Sequence, residues 1–268
     1  MEEFITKKER FMIKIKKRWH FCRLRKKRLF KKLNTPSSDD LPNQSESMFL
    51  ENDIYMNDKR IMNSNELEAF VIHIHDHGVG HKIYLHSTKG NGKIYINLWG
   101  NENTFIFGKD NVVNNDMSIS YWGCAPNIFP KKVCVEIGNH NIFNGEQIKF
   151  ICPIVENRSI KVGDYNLFGG YITFRGRNDH VIYDIKTMKR VNEDFDIILK
   201  NNIWVCDSVV FLPKCTIEGN AIIAEQSLVN KEFSEKNILI AGTPASIKKQ
   251  NVMWNKNLDD SYKRKKAN

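Results

Sequence analysis

The sequence has no long apolar run, and its cysteines are few and scattered. No stretch approaches the ~20 consecutive apolar residues that a membrane-spanning helix needs. The N-terminus has neither an uninterrupted apolar core nor a small-residue cleavage site, so we expect no secretory signal. Six cysteines without CxxC pairs are typical of reduced thiols in a cytoplasmic protein. The 268 residues, 41% of them apolar, are enough for a real hydrophobic core.

Most of the chain also lacks a net basic charge, although the formal net charge of the whole chain is +10. Residues 7–32 hold fourteen Lys and Arg against the single acid Glu9, which gives +13 for this stretch and leaves −3 for the remainder. The basicity therefore belongs to a tail. No base-reading fold accompanies it, so we expect no nucleic-acid partner.

Residues 1–33 have the pattern of a basic amphipathic helix. Apolar residues recur at spacings of seven or four, and Lys and Arg fill much of the rest. The stripe comprises Phe4, Phe11, Ile15, Cys22, Leu29 and Leu33. Such a helix suits an anionic membrane surface. A solvated or packing helix and nucleic-acid contact are the alternatives.

Two further regions follow the basic helix. Residues 34–66 begin "NTPSSDDLPNQSES" and stay polar, which indicates a linker with a short helix near its end. Residues 67–268 have the apolar patterning of a folded domain.

A period of six runs through the folded domain. One series of large apolar residues comprises Leu199, Val205, Phe211, Ile217, Ile223 and Val229. A companion series two residues earlier comprises Ile197, Ile203, Val209, Cys215, Ala221 and Ser227. The period recurs upstream, for example at Phe107, Val113 and Ile119. It fits a coil of short parallel strands with three flat faces, each taking one hexapeptide.

At this point the chain resembles the hexapeptide-repeat acyltransferases. The stretches "VGDYNLFGGYITF", "RNDHVIYD", "IILKNNIWV" and "LIAGTPASIKK" follow in that family's order. Within the family it is most similar to O-acetyltransferases of bacterial capsules and sialic-acid polymers. The resemblance implies a mainly β fold, a left-handed parallel β-helix, with the N-terminal helix before it and a short C-terminal helix after it. It also implies a homotrimer that uses acetyl-CoA and no further cofactor.

A loop at residues 175–196 interrupts the repeat, because the spacing from Phe174 to Leu199 is 25, not a multiple of six. The resemblance implies that His180 in this loop is the general base. A neutral imidazole with a pKa near ~6.5 can take a proton from a sugar hydroxyl at cytoplasmic pH. A passive loop histidine is the alternative. Asp179 and Asp184 are candidates to orient the ring, with a backbone carbonyl as the alternative.

Aromatic and basic residues around the loop are the candidate substrate contacts. Trp204, 24 residues after His180, matches a tryptophan that lines the active site in the family. Tyr121 and Trp122 leave the coil and are candidates to stack on a sugar ring, although interface packing fits them equally. We expect Arg175 and Arg177 to contact the acceptor.

The donor site is expected near the C-terminus. In the family, the segment that contains Ala241, Gly242, Thr243 and Pro244 lies along the coenzyme A groove. Gly242 permits a tight turn, and Pro244 can start the C-terminal helix. Lys248 and Lys249 are then candidates for the coenzyme phosphates, with a solvated helix face as the alternative.

A histidine cluster supports a rival interpretation. "HIHDHGVGH" places His73, His75, His77 and His81 with Asp76 in nine residues, and alternate histidines share one face of a strand. The same fold hosts zinc carbonic anhydrases, which carry their ligands on the coil. This cluster precedes the clear repeats, so we expect no metal site. A non-catalytic β-helix that binds nucleic acid through its tail is the other rival.

The preferred hypothesis is direct transfer of acetyl from acetyl-CoA to a sugar hydroxyl of a capsular or surface polysaccharide. A free sugar or nucleotide sugar is the alternative acceptor. We expect a cytoplasmic enzyme, held by residues 1–33 on the inner face of the bacterial inner membrane.

Overall fold

The computed structural model describes residues 47–75, 78–123 and 128–256. The predicted basic helix of residues 1–33 lies outside them. The described residues form one short helix, α1 (Ser47–Glu51), a 3₁₀ turn (Ser64–Glu66) and a succession of short strands. Within these ranges, no helix has the length and apolar character required to cross a bilayer.

The strands form three sheets, which we call faces 1, 2 and 3. Face 1 comprises β1 (Asp53–Met56), β2 (Lys59–Arg60), β4 (Lys82–Leu85), β6 (Thr104–Phe107), β9 (Cys134–Ile137), β12 (Ser159–Val162), β15 (Ile197–Leu199) and β18 (Cys215–Ile217). Face 2 comprises β7 (Val112–Val113), β10 (Ile142–Phe143), β13 (Leu167–Phe168), β16 (Trp204–Val205), β19 (Ile222–Ile223), β21 (Ile238–Ala241) and β22 (Ser246–Gln250). Face 3 comprises β3 (Phe70–Ile74), β5 (Ile94–Leu98), β8 (Met117–Tyr121), β11 (Ile148–Ile151), β14 (Thr173–Arg175), β17 (Val210–Phe211) and β20 (Leu228–Val229).

From β6 to β20 the chain visits the three faces in turn, so each coil adds one strand to every face. All strand pairs are parallel except β1–β2 and β21–β22 at the two ends. Every residue of both six-residue series is buried. The predicted three-sided parallel coil is therefore confirmed.

The interior is a column of side chains stacked from coil to coil. Phe150, Phe174 and Phe211 on face 3 stack with centroid distances of 4.3 and 4.7 Å. Phe143 and Phe168 on face 2 stack at 4.8 Å. Parallel strands in register place equivalent residues directly above one another, so one aromatic residue per coil makes a continuous stack.

Buried asparagines hold the edge between faces 1 and 2. The backbone N–H of Asn141 donates to Asn111 Oδ1 at 2.8 Å, and that of Asn166 donates to Asn141 Oδ1 at 2.9 Å. The backbone N–H of Ile203 continues the series by donating to Asn166 Oδ1 at 2.7 Å. We call Asn111, Asn141 and Asn166 the asparagine ladder. It satisfies turn N–H groups that no strand partner reaches.

We call the edge where the chain passes from face 3 to face 1 the loop edge. Its described residues are 75, 78–81, 99–103, 122–123, 128–133, 152–158 and 176–196, each segment following a strand of face 3. In a three-sided coil, this edge lies opposite face 2.

Two sequence-based boundaries differ from the structure. Residues 47–66, assigned to the linker, belong to the coil, since β1 pairs in parallel with β4 and Phe49 and Ile54 are buried. The predicted C-terminal helix is wrong for residues 246–250, which form β22. This strand pairs antiparallel with β21 and so satisfies the hydrogen-bonding edge that β21 would otherwise leave open.

We expect Asn141→Ala to lower the thermal unfolding midpoint clearly. The substitution leaves the N–H of Asn166 and the carbonyl of Gly163 without their buried partner, which costs about 1–3 kcal/mol. Asn114→Ala is the matched control, because Asn114 is exposed and its side chain bonds only another side chain, Asn144. Equal midpoints for the two variants, measured at one protein concentration, would contradict the role of the ladder.

Candidate functional site

The loop that carries His180 leaves the coil after β14 and returns at β15. Its neck is closed by Asp194, whose side chain is 1% exposed. The backbone N–H and the Nδ2 of Asn178 both donate to Asp194 Oδ1 at 2.9 Å. Arg190 Nη2 lies 3.5 Å from Asp194 Oδ2. A buried carboxylate with these partners fixes the two ends of the loop together.

Above the neck the loop is a hairpin that holds the backbone of His180. Asn192 Nδ2 donates to the carbonyl oxygen of His180 at 2.7 Å, and the N–H of Ile182 donates to Asn192 Oδ1 at 2.7 Å. Tyr183 and Arg190 form an antiparallel bridge. The His180 side chain itself is exposed. Its main chain is therefore fixed while its imidazole faces solvent.

Asp179 contacts arginines. Its Oδ2 accepts from Arg175 Nη2, and its Oδ1 accepts from Arg177 Nε at 3.0 Å. Arg177 Nη1 also donates to the carbonyl oxygen of Trp122. The expected orientation of His180 by Asp179 is not seen, since within the described chain no hydrogen bond or salt bridge joins the two side chains. Two positive charges close by attract the carboxylate more strongly than a neutral imidazole.

The tip of the loop is ordered by Asp184 yet exposes apolar side chains. Asp184 Oδ1 accepts from Thr187 N at 2.7 Å and from Thr187 Oγ1 at 2.9 Å, and these bonds lower the pKa of the Asp184 carboxyl. Ile185 is 90% exposed. The other exposed apolar residues of the loop are Val181, Ile182, Tyr183, Met188 and Val191. A loop tip that is ordered by hydrogen bonds and still exposes this many apolar side chains is typical of a contact surface.

Trp204 lies on β16 of face 2, with its side chain 38% exposed on the outside of the coil. It faces Trp254, whose Nε1 donates to the carbonyl of Asn202 at 2.9 Å. Face 2 is opposite the loop edge. Within one chain, therefore, the coil separates Trp204 from the root of the His180 loop.

The predicted donor segment shares face 2 with Trp204. Ala241, Gly242, Thr243 and Pro244 join β21 to β22, and the N–H of Leu228 donates to the Gly242 carbonyl at 3.0 Å. Gly242 has a φ of +105°, which favours glycine. Trp204 on β16 and the closing motif after β21 therefore lie on the same face, with β19 between them, and their role in coenzyme binding stays a prediction.

Lys248 and Lys249 are both exposed on β22. The register between β21 and β22 shifts at Lys248, which lies between Ile247, the partner of Ile240, and Lys249, the partner of Leu239. Lys248 Nζ lies close to Gly242, beside the β21–β22 turn. Of the two lysines, Lys248 is the one placed toward the predicted coenzyme segment.

Tyr121 is not a sugar contact, and this prediction is wrong. Its side chain is fully buried, and its hydroxyl donates to the Thr104 carbonyl at 2.7 Å. Tyr121 continues the alternation of Met117 and Ile119 in β8, so it points inward. Burial raises the pKa of its phenol well above the usual value. Trp122, the next residue, is exposed.

The described histidines of the cluster do not converge. His75 stacks on Trp99 with centroids 3.5 Å apart, while His81 is buried and its Nδ1 accepts from the N–H of Asn103 at 3.2 Å. Burial lowers the pKa of His81 to about 4, so it stays neutral. His77 and Asp76 lie outside the described residues. Across residues 47–75, 78–123 and 128–256, no three His, Cys, Asp or Glu side chains are grouped to hold a metal ion.

Sequence reasoning missed Asn192 and Trp99. Asn192 lies in an aperiodic loop, where no pattern marks it. Trp99 had a signal, because it follows β5 as Trp122 follows β8, and Leu98 pairs with Tyr121. Aligning the coils by their buried strand residues would have placed the two tryptophans side by side.

No family model matches the chain. The chain is 27% identical over 115 residues to the galactoside O-acetyltransferase of Lactococcus lactis subsp. lactis (strain IL1403). This match covers 42% of this chain and 55% of that protein. It is 28% identical over 98 residues to the galactoside O-acetyltransferase of Escherichia coli (strain K12), covering 37% and 47%. It is 27% identical over 101 residues to the polysialic acid O-acetyltransferase of Escherichia coli O1:K1 / APEC, covering 38% and 33%. The chain therefore spans about half or less of the curated relatives that it matches.

Among solved structures, the polySia-specific acetyltransferase NeuO superposes with a TM-score of 0.53. The match has 19% sequence identity and covers 75% of this chain and 98% of that chain. At this identity the likeness shows the fold, and it confirms the predicted left-handed parallel β-helix. Together with the sequence matches, it confirms the resemblance to the hexapeptide-repeat O-acetyltransferases.

We expect Asn192→Ala to loosen the His180 segment without unfolding the coil. The substitution removes two hydrogen bonds that hold the backbone at residues 180 and 182. Amide hydrogen exchange of residues 180–183 should rise about tenfold or more, since each net bond contributes about 1 kcal/mol. Thr187→Ala, which affects only the tip, serves as the control. Unchanged exchange at these residues in Asn192→Ala would show that Asn192 does not hold the segment.

Proposed function

We propose that the protein is an O-acetyltransferase that moves acetyl from acetyl-CoA to a sugar hydroxyl of a capsular or surface polysaccharide. The observation that carries the proposal is the ordered His180 loop on a left-handed β-helix that also presents Trp204 and the 241–244 segment on one face. The likeness to galactoside and polysialic acid O-acetyltransferases supports the reaction class and a sugar acceptor.

In the proposed reaction, His180 takes the proton of the acceptor hydroxyl as that oxygen attacks the thioester carbonyl carbon. A carbon–oxygen bond forms, the carbon–sulfur bond breaks, and the leaving thiolate takes a proton from the imidazolium. An exposed imidazole on a fixed backbone can approach both substrates. The indole of Trp204 offers a flat face and one N–H donor for the acetyl-pantetheine arm.

The state of the thiols supports direct transfer without an acyl-enzyme. Burial, with Asp207 and Glu225 nearby, raises the pKa of Cys206. Burial likewise raises the pKa of Cys134, Cys152 and Cys215. A thiol is a nucleophile as its thiolate, so each of these four cysteines is poorly suited to accept the acetyl group.

We also propose that the protein acts as a homotrimer with sites between subunits. His180 and Trp204 lie on opposite sides of one coil, so they can meet when the loop of one subunit crosses face 2 of the next. The exposed apolar side chains of residues 181–191 would then be covered by that neighbour.

The basic pattern of residues 1–33 supports a peripheral place for this enzyme on an anionic membrane surface at the cytoplasmic side. A polymer under synthesis at the membrane would then lie within reach of the trimer.

The first test is thiol release from acetyl-CoA with a panel of capsular polymers that includes polysialic acid. We expect His180→Asn to lower acceptor-dependent release by about 10²- to 10⁴-fold, the usual contribution of a general base. His140→Asn is the matched control, because His140 is a partly exposed histidine on the edge between faces 1 and 2. Wild-type rates in His180→Asn would exclude His180 as the base. No release with any acceptor would contradict the proposed acceptor class.

The second test concerns the subunit arrangement. His180→Asn and Trp204→Ala should each be weakly active alone, yet their co-expressed mixture should regain part of the wild-type rate. In a mixed trimer, one interface can combine His180 from one variant with Trp204 from the other. A mixture no more active than its components would place both residues in the same chain's site.

A further inference from the structure

Three aromatic side chains lie side by side at the loop edge. His75, Trp99 and Trp122 each follow a strand of face 3 on successive coils, and the N–H of Trp99 donates to the Tyr121 carbonyl at 3.1 Å. The rings of His75 and Trp99 are stacked with an interplanar angle of 5°. Trp122 meets Trp99 edge-on, with centroids 5.2 Å apart and an angle of 82°. We call these three residues the aromatic shelf.

Trp122 is the exposed end of the aromatic shelf. Its side chain is 53% exposed, whereas Trp99 beneath it is half-buried and supported in turn by His75. The backbone of Trp122 is held as well, because the Arg177 guanidinium donates to its carbonyl. The indole therefore stands on a rigid support with much of its surface open to solvent.

The aromatic shelf is close to His180 along both the chain and the coil axis. Arg177, three residues before His180 in the same loop, donates to the Trp122 carbonyl, so the aromatic shelf contacts the root of the His180 loop. Along the axis, β8 and β14 are separated by β11, and two strand spacings are about 10 Å. A group bound on Trp122 is thus near His180 without being the group that reacts there.

The surroundings of Trp122 suit an acidic carbohydrate. Arg175 and Arg177 face the single carboxylate of Asp179, which leaves one positive charge beside the shelf. An indole face beside a guanidinium suits a sugar ring, which is apolar on its C–H face and polar at its rim, and the excess positive charge suits an acidic sugar.

We propose that Trp122 is a stacking platform for a second unit of an oligomeric acidic sugar, one that neighbours the unit acetylated at His180. The inference rests on the proposed function. It assigns the acceptor a minimum length of two units and selects polymers over single sugars. Trp99 and His75 are positioning residues that support the indole.

The test compares acceptors of different length. With polysialic acid and with sialic acid monomer, kcat/KM is measured for wild type, Trp122→Ala and Trp122→Phe. We expect Trp122→Ala to lose about tenfold on the polymer and little on the monomer, with KM for acetyl-CoA unchanged and partial recovery in Trp122→Phe. Tyr84→Ala, an exposed aromatic residue on face 1, is the matched control.

Direct binding separates failure of this inference from failure of the proposed function. Polysialic acid binding is measured by titration on His180→Asn, with and without Trp122→Ala, so that no turnover is needed. Weaker binding in the double variant supports the platform even if the reaction proves different. The proposal would be overturned by equal binding in the two variants, or by equal losses of kcat/KM on polymer and monomer. Loss of the trimer in Trp122→Ala would also overturn it, because Trp122 would then be a subunit contact.

Discussion

The backbone N–H groups at the edges of the coil are the constraint on which the structure depends. Strands of two to five residues leave an edge about every six residues, and an edge has no strand partner. Side-chain oxygens of an adjacent coil accept these N–H groups: Asn111, Asn141 and Asn166 in the ladder, and Asp164 and Asn201 just outside it. At the loop edge, the side-chain oxygens of Asn52 and Asn103 and the Nδ1 of His81 also accept backbone N–H groups of an adjacent coil. His81, which resembles a metal ligand in sequence, thus acts as one more acceptor of a backbone N–H between coils.

The candidate site lies where this pairing stops. After β14 the coil is interrupted by residues 176–196, yet Phe174 still pairs with Phe211 across the insertion. Within this loop, the side-chain oxygens of Asp194 and Asn192 accept backbone N–H groups, as residues of an adjacent coil do elsewhere. A rigid frame with one self-closed loop fixes the backbone of His180 and leaves its imidazole exposed.

Sequence alone predicted the coil well, because Leu199 and the residues six apart from it must each fill the same interior position. Sequence alone gave wrong predictions for residues whose place depends on contacts with distant segments. Tyr121 was expected to leave the coil, but β8 extends through it, as β5 extends through Leu98, and the alternation of the strand turns its side chain inward. Pro244 suggested a helix start, but residues 246–250 form a strand because they pair with the otherwise unpaired edge of β21. Asp179 lies beside His180 in sequence, but Arg175 and Arg177 bind its carboxylate. Contacts between distant segments decide such cases, and one sequence does not contain them.

The two antiparallel hairpins each cover one face at one end of the described coil. A stack of short parallel strands can in principle grow without limit, since each end offers the same hydrogen-bonding edge as the coil before it, as in fibrils. Here β2 covers the first end of face 1 and β22 the last end of face 2, both running against the stack. Both place basic residues on the outermost strand, Lys59 with Arg60 and Lys248 with Lys249. On these two faces, the terminal strand therefore opposes continuation of the parallel stack by its direction and by its charge.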